Sequence, residues 1–133
     1  MTIEEYCKEF EEKIQSAYTE AVTLAEAETL AGQFLTAQMR ISDEIRNADL
    51  DARMRRSGLK AVRAAVYMEE ATKGDKKPSD VMLAALVDRD KLVQGEQEAF
   101  DKAECSRDNL ERYYNIFREA HVFFRGVSRG RFE

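Results

Sequence analysis

The stretch "IEEYCKEFEEKIQSAYTEAVTL", residues 3–24, indicates which fold this chain of 133 residues adopts. Its apolar side chains recur at alternating spacings of four and three residues, a pattern typical of a helix that packs lengthwise against another helix. The members of this seam are Ile3, Cys7, Phe10, Ile14, Ala17, Ala21 and Leu24. Thr2 and Glu5 have the spacing of a capping box, which predicts that the helix begins after Thr2.

The first seam breaks at Glu28, and a second seam, shifted in register, begins near Gly32. It consists of Leu30, Phe34, Ala37 and Ile41. The segment Ser42 to Glu70 is then either a second helix or a continuation of the first. Composition agrees with helices, since the chain has one Pro and six Gly and is rich in strong helix formers. The sequence therefore predicts an all-α fold with long helices in an extended hairpin or bundle.

We expect a single helical domain over residues 1–133, divided by one connection. Residues 1–71 form the N-terminal helices, which include a basic segment at 53–67. The connection is 72–80, "TKGDKKPSD", where Gly74 can end a helix and Ser79 or Asp80 can cap the next. Residues 81–125 form one long C-terminal helix, and 126–133 form a short basic tail.

A third seam lies in the aromatic-rich end of the C-terminal helix. It consists of Leu110, Tyr114, Phe117, His121 and Phe124. The seams near both ends hold more apolar surface than one short bundle covers, so we expect a homo-oligomer with this third seam as its interface. The only histidine lies in the seam, where a packed, hydrogen-bonded side chain is the expectation.

Several function classes are disfavoured. No Cys/His cluster has the spacing of metal ligands, and no glycine-rich loop resembles a phosphate-binding loop. We therefore expect no catalysis, no metal and no cofactor. Cys7 and Cys105 form no motif, the start of the chain lacks a signal-peptide pattern, and no apolar run is long enough for a bilayer. These features favour a soluble, cytoplasmic protein with no membrane partner.

The basic segment "RMRRSGLKAVRAAVYME", residues 53–69, contrasts with a formal net charge of −5. On a helix with 3.6 residues per turn, one narrow stripe contains a set of basic residues and a tyrosine. This basic stripe consists of Arg53, Arg56, Lys60, Arg63 and Tyr67. A second side of the same helix carries mostly small, apolar residues, which would allow a neighbouring helix to approach closely. It consists of Met54, Gly58, Ala61 and Ala65.

Local counter-ions exist for only part of the basic segment. Asp49 can reach Arg53 and Asp51 can reach Arg55, because helical partners lie three or four residues apart. The other basic residues of the stripe have no acidic residue at those offsets, so their counter-ion must come from elsewhere. Single-stranded nucleic acid would supply phosphates, with Tyr67 stacking on a base. The alternatives are a solvated surface or pairing with the acidic first helix of the same or a neighbouring subunit.

The second half of the chain resembles the UvsY family of phage recombination mediators. The resemblance rests on "LKAVRAAVY" (residues 59–67), on the helix–break–helix organisation, on "FFRGV" (123–127) and loosely on "LVDRDKLV" (86–93). In the family's Leu-Lys-Ala-Arg motif, Leu59, Lys60 and Ala61 match, and Val62 stands where the second basic residue is expected. Arg63 follows one position later, on the basic stripe.

What the resemblance implies is a non-enzymatic accessory protein of DNA recombination and repair in a phage-infected host cytoplasm. Members of the family bind single-stranded DNA, form homo-oligomers and help load a RecA-like recombinase onto strands coated with single-strand-binding protein. Lys60 is carried over by the motif, whereas Arg53, Arg56 and Arg63 come from the helical geometry. One alternative is a helical protein-interaction or virion assembly factor without nucleic-acid binding. Another is a small acidic inhibitor that mimics DNA.

Overall fold

The computed structural model describes residues 1–20 and 22–130. These residues form four helices: α1 (Ile3–Thr19), α2 (Leu24–Thr72), α3 (Asp80–Arg89) and α4 (Lys91–Ser128). The prediction of an all-α fold is confirmed. Ala21 of the first predicted seam and residues 131–133 of the predicted tail lie outside the described residues.

The start of α1 is the predicted capping box. The Glu5 amide donates to the Thr2 hydroxyl at 3.2 Å, and the Thr2 amide donates to the Glu5 carboxylate at 3.1 Å. The predicted seam through Leu24 is wrong at its far end, because α1 ends at Thr19. Thr23 caps the next helix by accepting a hydrogen bond from the Glu26 amide at 3.2 Å.

The second helix is one continuous segment of 49 residues, so Ser42 to Glu70 continues the helix that begins at Leu24. Its end at Thr72 coincides with the predicted connection. The hydroxyl of Ser79 then accepts a hydrogen bond from the Met82 amide at 3.2 Å, which confirms the cap predicted for the following helix.

The long helix predicted over 81–125 is interrupted at Asp90. This residue has an extended backbone (φ −62°, ψ 129°), and its carboxylate accepts hydrogen bonds from the amides of Leu92 and Val93 at 2.9 and 3.1 Å. Asp90 therefore ends α3 and caps α4. The prediction of a single helix is corrected to two, the second of which extends to Ser128.

The chain, predicted as a single domain, divides into two compact units. The first comprises Met1–Arg46 and the chain from Asp108 on, and the second comprises Asn47–Arg107. In the first unit α1, the beginning of α2 and the end of α4 enclose an aromatic core. The ring centroids of Phe10, Phe34 and Phe117 lie 5.5 to 5.8 Å apart, and the ring of Phe124 stacks on Phe34 at 5.7 Å.

The core of the second unit is smaller and aliphatic. Leu59 and Val66 of α2 pack with Val87 of α3 and Val93 of α4, and Phe100 covers the edge of this cluster. Because these residues fix one side of α2, they determine which side chains of the basic segment reach solvent.

The two cysteines differ in environment, and we expect only Cys105 to react in the folded protein. Cys7 is buried in the first unit, and burial raises the pKa of its thiol to about 11. Cys105 is exposed. Because the thiolate is the nucleophile, a chromogenic disulfide reagent should titrate one thiol in buffer and two in guanidinium chloride. Equal reaction rates for both thiols in buffer would contradict the burial of Cys7.

Candidate nucleic-acid interface

The basic segment belongs to α2 in the second unit, and its buried side is not the one predicted. Ala52, Leu59 and Val66 are buried, with Val62 at the edge. The predicted packing side of Met54, Gly58, Ala61 and Ala65 is therefore corrected. Met54 keeps 66% of its surface exposed, and both alanines are exposed. Gly58 is half-buried, and the Glu96 carboxylate would lie 3.6 Å from a Cβ added there.

Arg56 and Lys60 are the two basic residues of the stripe without a counter-ion. Both side chains are exposed, and neither has an ion pair or hydrogen bond within the part of the chain that the structure describes. They are four residues apart, so they lie about 6 Å from each other along the helix axis on adjacent turns. Two adjacent, hydrated cations of this kind can bind an anionic backbone without first breaking a bond within the protein.

The local pairs predicted for the segment are confirmed. The guanidinium of Arg53 lies 3.1 Å from the Asp49 carboxylate, and Arg55 Nε lies 3.7 Å from the Asp51 carboxylate. These pairs are solvent-exposed, and each contributes at most about 0.5 kcal/mol. Arg53 can therefore exchange its carboxylate for a phosphate at little cost.

Arg63 has a counter-ion that the sequence did not reveal. Its Nη2 donates to Asp88 Oδ1 of α3 at 2.9 Å. Asp88 thus neutralises one residue of the basic stripe, and the nearby Asp90 caps α4. The expectation that the counter-ion of Arg63 comes from outside its own helix is confirmed, since α3 supplies the carboxylate within the second unit.

Tyr67 is the aromatic residue of the stripe. It is 36% exposed, so part of its side chain reaches solvent. A half-exposed ring can stack on a base while the neighbouring cations contact phosphates. The structure thus brings Arg53, Arg56, Lys60 and Tyr67 to one exposed side of α2 and ties Arg63 to α3.

The predicted oligomer interface is corrected, because these residues belong to the core of the first unit. Phe117 and Phe124 are 0% and 2% exposed and leave no surface for a second chain. Leu110 and Tyr114 pack against the same core. His121 is half-buried, with Nδ1 2.8 Å from the Ala31 carbonyl oxygen, as expected for a packed, hydrogen-bonded histidine.

No cluster of three or more His, Cys, Asp or Glu side chains that could hold a metal ion is present in residues 1–20 and 22–130. Among the described helices, none is long and apolar enough to cross a bilayer.

Comparison of the chain with protein-family models, with curated proteins and with solved structures gives no match.

Proposed function

We propose that this protein is an accessory factor of the recombination-mediator type. It binds single-stranded DNA without sequence preference and helps a RecA-like recombinase replace single-strand-binding protein on the strand. The observation that carries the proposal is the exposed pair Arg56 and Lys60, which lacks a counter-ion in the described residues. The resemblance of residues 59–67 to the UvsY family supplies the biological setting.

The proposed mechanism is electrostatic. Arg56 and Lys60 bind successive phosphates and release the condensed counter-ions, which gives binding that weakens as salt rises. Arg53 and Arg63 join when phosphate displaces Asp49 and Asp88, and Tyr67 stacks on a base. Several such surfaces in a homo-oligomer add avidity and hold the strand in a form that the recombinase can bind.

The charge distribution between the two units is compatible with this mechanism. Residues 47–107 contain equal numbers of acidic and basic side chains, and the net charge of −5 arises entirely in the rest of the chain. The unit that presents the basic stripe therefore has no net charge of its own to repel a polyanion. An acidic chain can bind nucleic acid when its negative charge is segregated in this way.

The direct test is fluorescence anisotropy of labelled single-stranded oligonucleotides of different sequence, titrated with the full chain at several salt concentrations. We expect similar affinities for all sequences and a linear fall of log Kobs with log salt. As a control, sedimentation of the protein alone at each salt concentration tests whether the oligomer size stays constant. Absence of binding at the lowest salt concentration would overturn the proposal.

Asp88→Asn is expected to strengthen binding to single-stranded DNA. The change removes a carboxylate near the stripe and releases the Arg63 guanidinium. Since exposed ion pairs contribute about 0.2–1 kcal/mol, affinity should rise roughly two- to fivefold, and unfolding free energy should fall by less than about 1 kcal/mol. Anisotropy and urea denaturation measure the two quantities. Unchanged affinity would exclude Arg63 from the interface. Asp43→Asn is the matched control, since it removes an exposed carboxylate outside the second unit.

A second candidate function is a protein-interaction factor in which the acidic α1 of one copy binds the basic stripe of another. One observation favours it: Glu9 and Glu12 of α1 are exposed and form no ion pair in the described residues. Salt separates the two functions. In the protein-interaction factor the assembly itself dissociates as salt rises, whereas in the proposed DNA-binding protein only the nucleic acid is released.

A further inference from the structure

The outer side of α2 in the second unit is apolar and has no partner in the described chain. Leu50, Met54 and Met68 expose 60%, 66% and 59% of their surfaces. They lie on the opposite side of the helix from Leu59 and Val66, which form the core of the unit. One helix therefore has two apolar sides, and the fold of the single chain uses only one.

The spacing on the outer side is regular. Residues recur at intervals of four and three over nearly three heptads, and all are exposed. This outer seam consists of Leu50, Met54, Ser57, Ala61, Ala64 and Met68. Met54, Ala61 and Met68 occupy heptad position a, and the other three occupy position d. Such a seam fits lengthwise against a second helix, and its small residues permit a close approach.

We propose that the outer seam pairs with the same seam of a second copy of this chain, with the two α2 helices parallel and in register. This pairing supplies the interface of the homo-oligomer in the proposed function. Asn47 identifies the arrangement. It is exposed and occupies position a, one heptad before Met54. A single asparagine at an a position favours the register in which the asparagine side chains of the two chains hydrogen-bond to each other. Any other register leaves a buried side-chain amide without a hydrogen-bond partner.

The charges beside the seam favour the same arrangement. Position g holds the cations Arg46, Arg53 and Lys60, and position e holds the anions Glu44 and Asp51. In a parallel pair g of one helix meets e of the other, so Arg46 of each copy reaches Asp51 of the other. In an antiparallel pair over the same seam, Lys60 would meet Lys60 of the other copy, and Asp51 would face Ala65 without a cation partner.

The ion pairs within one chain leave these groups available. Arg46 is exposed and has no ion pair in the described residues, and the Asp51 carboxylate has only the 3.7 Å contact with Arg55. Arg56 lies farther from the seam than Arg53 and Lys60. A parallel dimer therefore keeps the Arg56 side of each helix open, with the two basic stripes on opposite faces of the pair.

The first test is sedimentation equilibrium of the full chain without nucleic acid, so its result is independent of DNA binding. We expect a monomer–dimer equilibrium. Met54→Glu should weaken association at least about tenfold, because it places two carboxylates in the seam. Leu92→Glu is the matched control, since Leu92 is 63% exposed on α4 and lies outside the seam. A chain that remains monomeric at all concentrations overturns the proposal, and so does equal weakening by the control.

The second test determines orientation by disulfide cross-linking in a Cys105→Ser background. Leu50→Cys and Ala71→Cys, both at position d, place thiols near opposite ends of the seam and retain Asn47. In the parallel pair each variant forms disulfide dimers with itself, since identical positions are adjacent. In an antiparallel pair disulfides form only when the two variants are mixed, and this result would overturn the parallel arrangement. Circular dichroism of each variant verifies unchanged helicity.

Discussion

Replacing Phe117 with alanine is expected to lower the free energy of unfolding by about 3–5 kcal/mol. Its ring has no exposed surface and contacts the rings of Phe10, Phe34 and Tyr113 at centroid distances of 5.7 to 5.8 Å. The change removes a large buried side chain and leaves a cavity among rings fixed by three helices. Domains of this size have total stabilities of about 5–15 kcal/mol, so the loss is a large part of the whole. Urea denaturation followed by circular dichroism measures it.

Val122→Ala is the control on the same helix. Val122 is 59% exposed, so its truncation should change stability by no more than about 0.5 kcal/mol. The two variants also distinguish between two roles for the seam around Phe117, the core of one chain and the oligomer interface that the sequence predicts. If the seam around Phe117 instead joined two chains, Phe117→Ala would cause an oligomer to dissociate, and the free energy of unfolding of each protomer would stay the same. A loss of less than about 1 kcal/mol would contradict its role in the core.

Removing Arg56 and Lys60 together is expected to abolish most of the binding of single-stranded DNA. The plot of log Kobs against log salt has a negative slope, and each lost phosphate contact makes it less steep by about 0.7. The slope of the double alanine variant should therefore be less steep by about 1.4. Affinity at low salt should fall by at least about tenfold, and equally for all sequences. Anisotropy titrations at four or more salt concentrations measure both quantities. Arg63→Ala should have a smaller effect, since Asp88 already holds that guanidinium.

The matched control is Arg55→Ala with Lys102→Ala. It also removes one arginine and one lysine, so the net charge is identical. Both side chains are exposed and lie outside the basic stripe, each in an ion pair within its own helix. If the control lost as much affinity as the test variant, binding would depend on overall charge and not on the stripe. Unchanged binding by the test variant would exclude Arg56 and Lys60 as contacts.

Local signals in the sequence were sufficient for much of the fold. The capping box at Thr2, the cap at Ser79 and the helical pairs of Arg53 and Arg55 involve residues at most four apart, so spacing alone predicts them. Thr23 followed by Glu26 is also a capping pattern. It marks the start of α2, although the heptad spacing continued through it and concealed the break.

The remaining features depend on how helices pack. The pairing of Arg63 with Asp88 joins residues 25 apart in the sequence and exists only because α3 lies against α2. The same packing decides that Leu59, and not Met54, is buried, since both sides of α2 are apolar. Periodicity showed that the aromatic seam is buried, but it could not distinguish a core within one chain from an interface between two.

The uneven distribution of aromatic side chains has a consequence for local opening. The first unit has a core of interlocking rings, whereas the core of the second unit consists of a few aliphatic side chains and Phe100. Backbone amides of α3 should therefore exchange with deuterium sooner than those around Phe34, through partial unfolding that leaves the first unit intact. The basic stripe lies in the half of the protein that opens more easily, so bound ligand should slow amide exchange most strongly there.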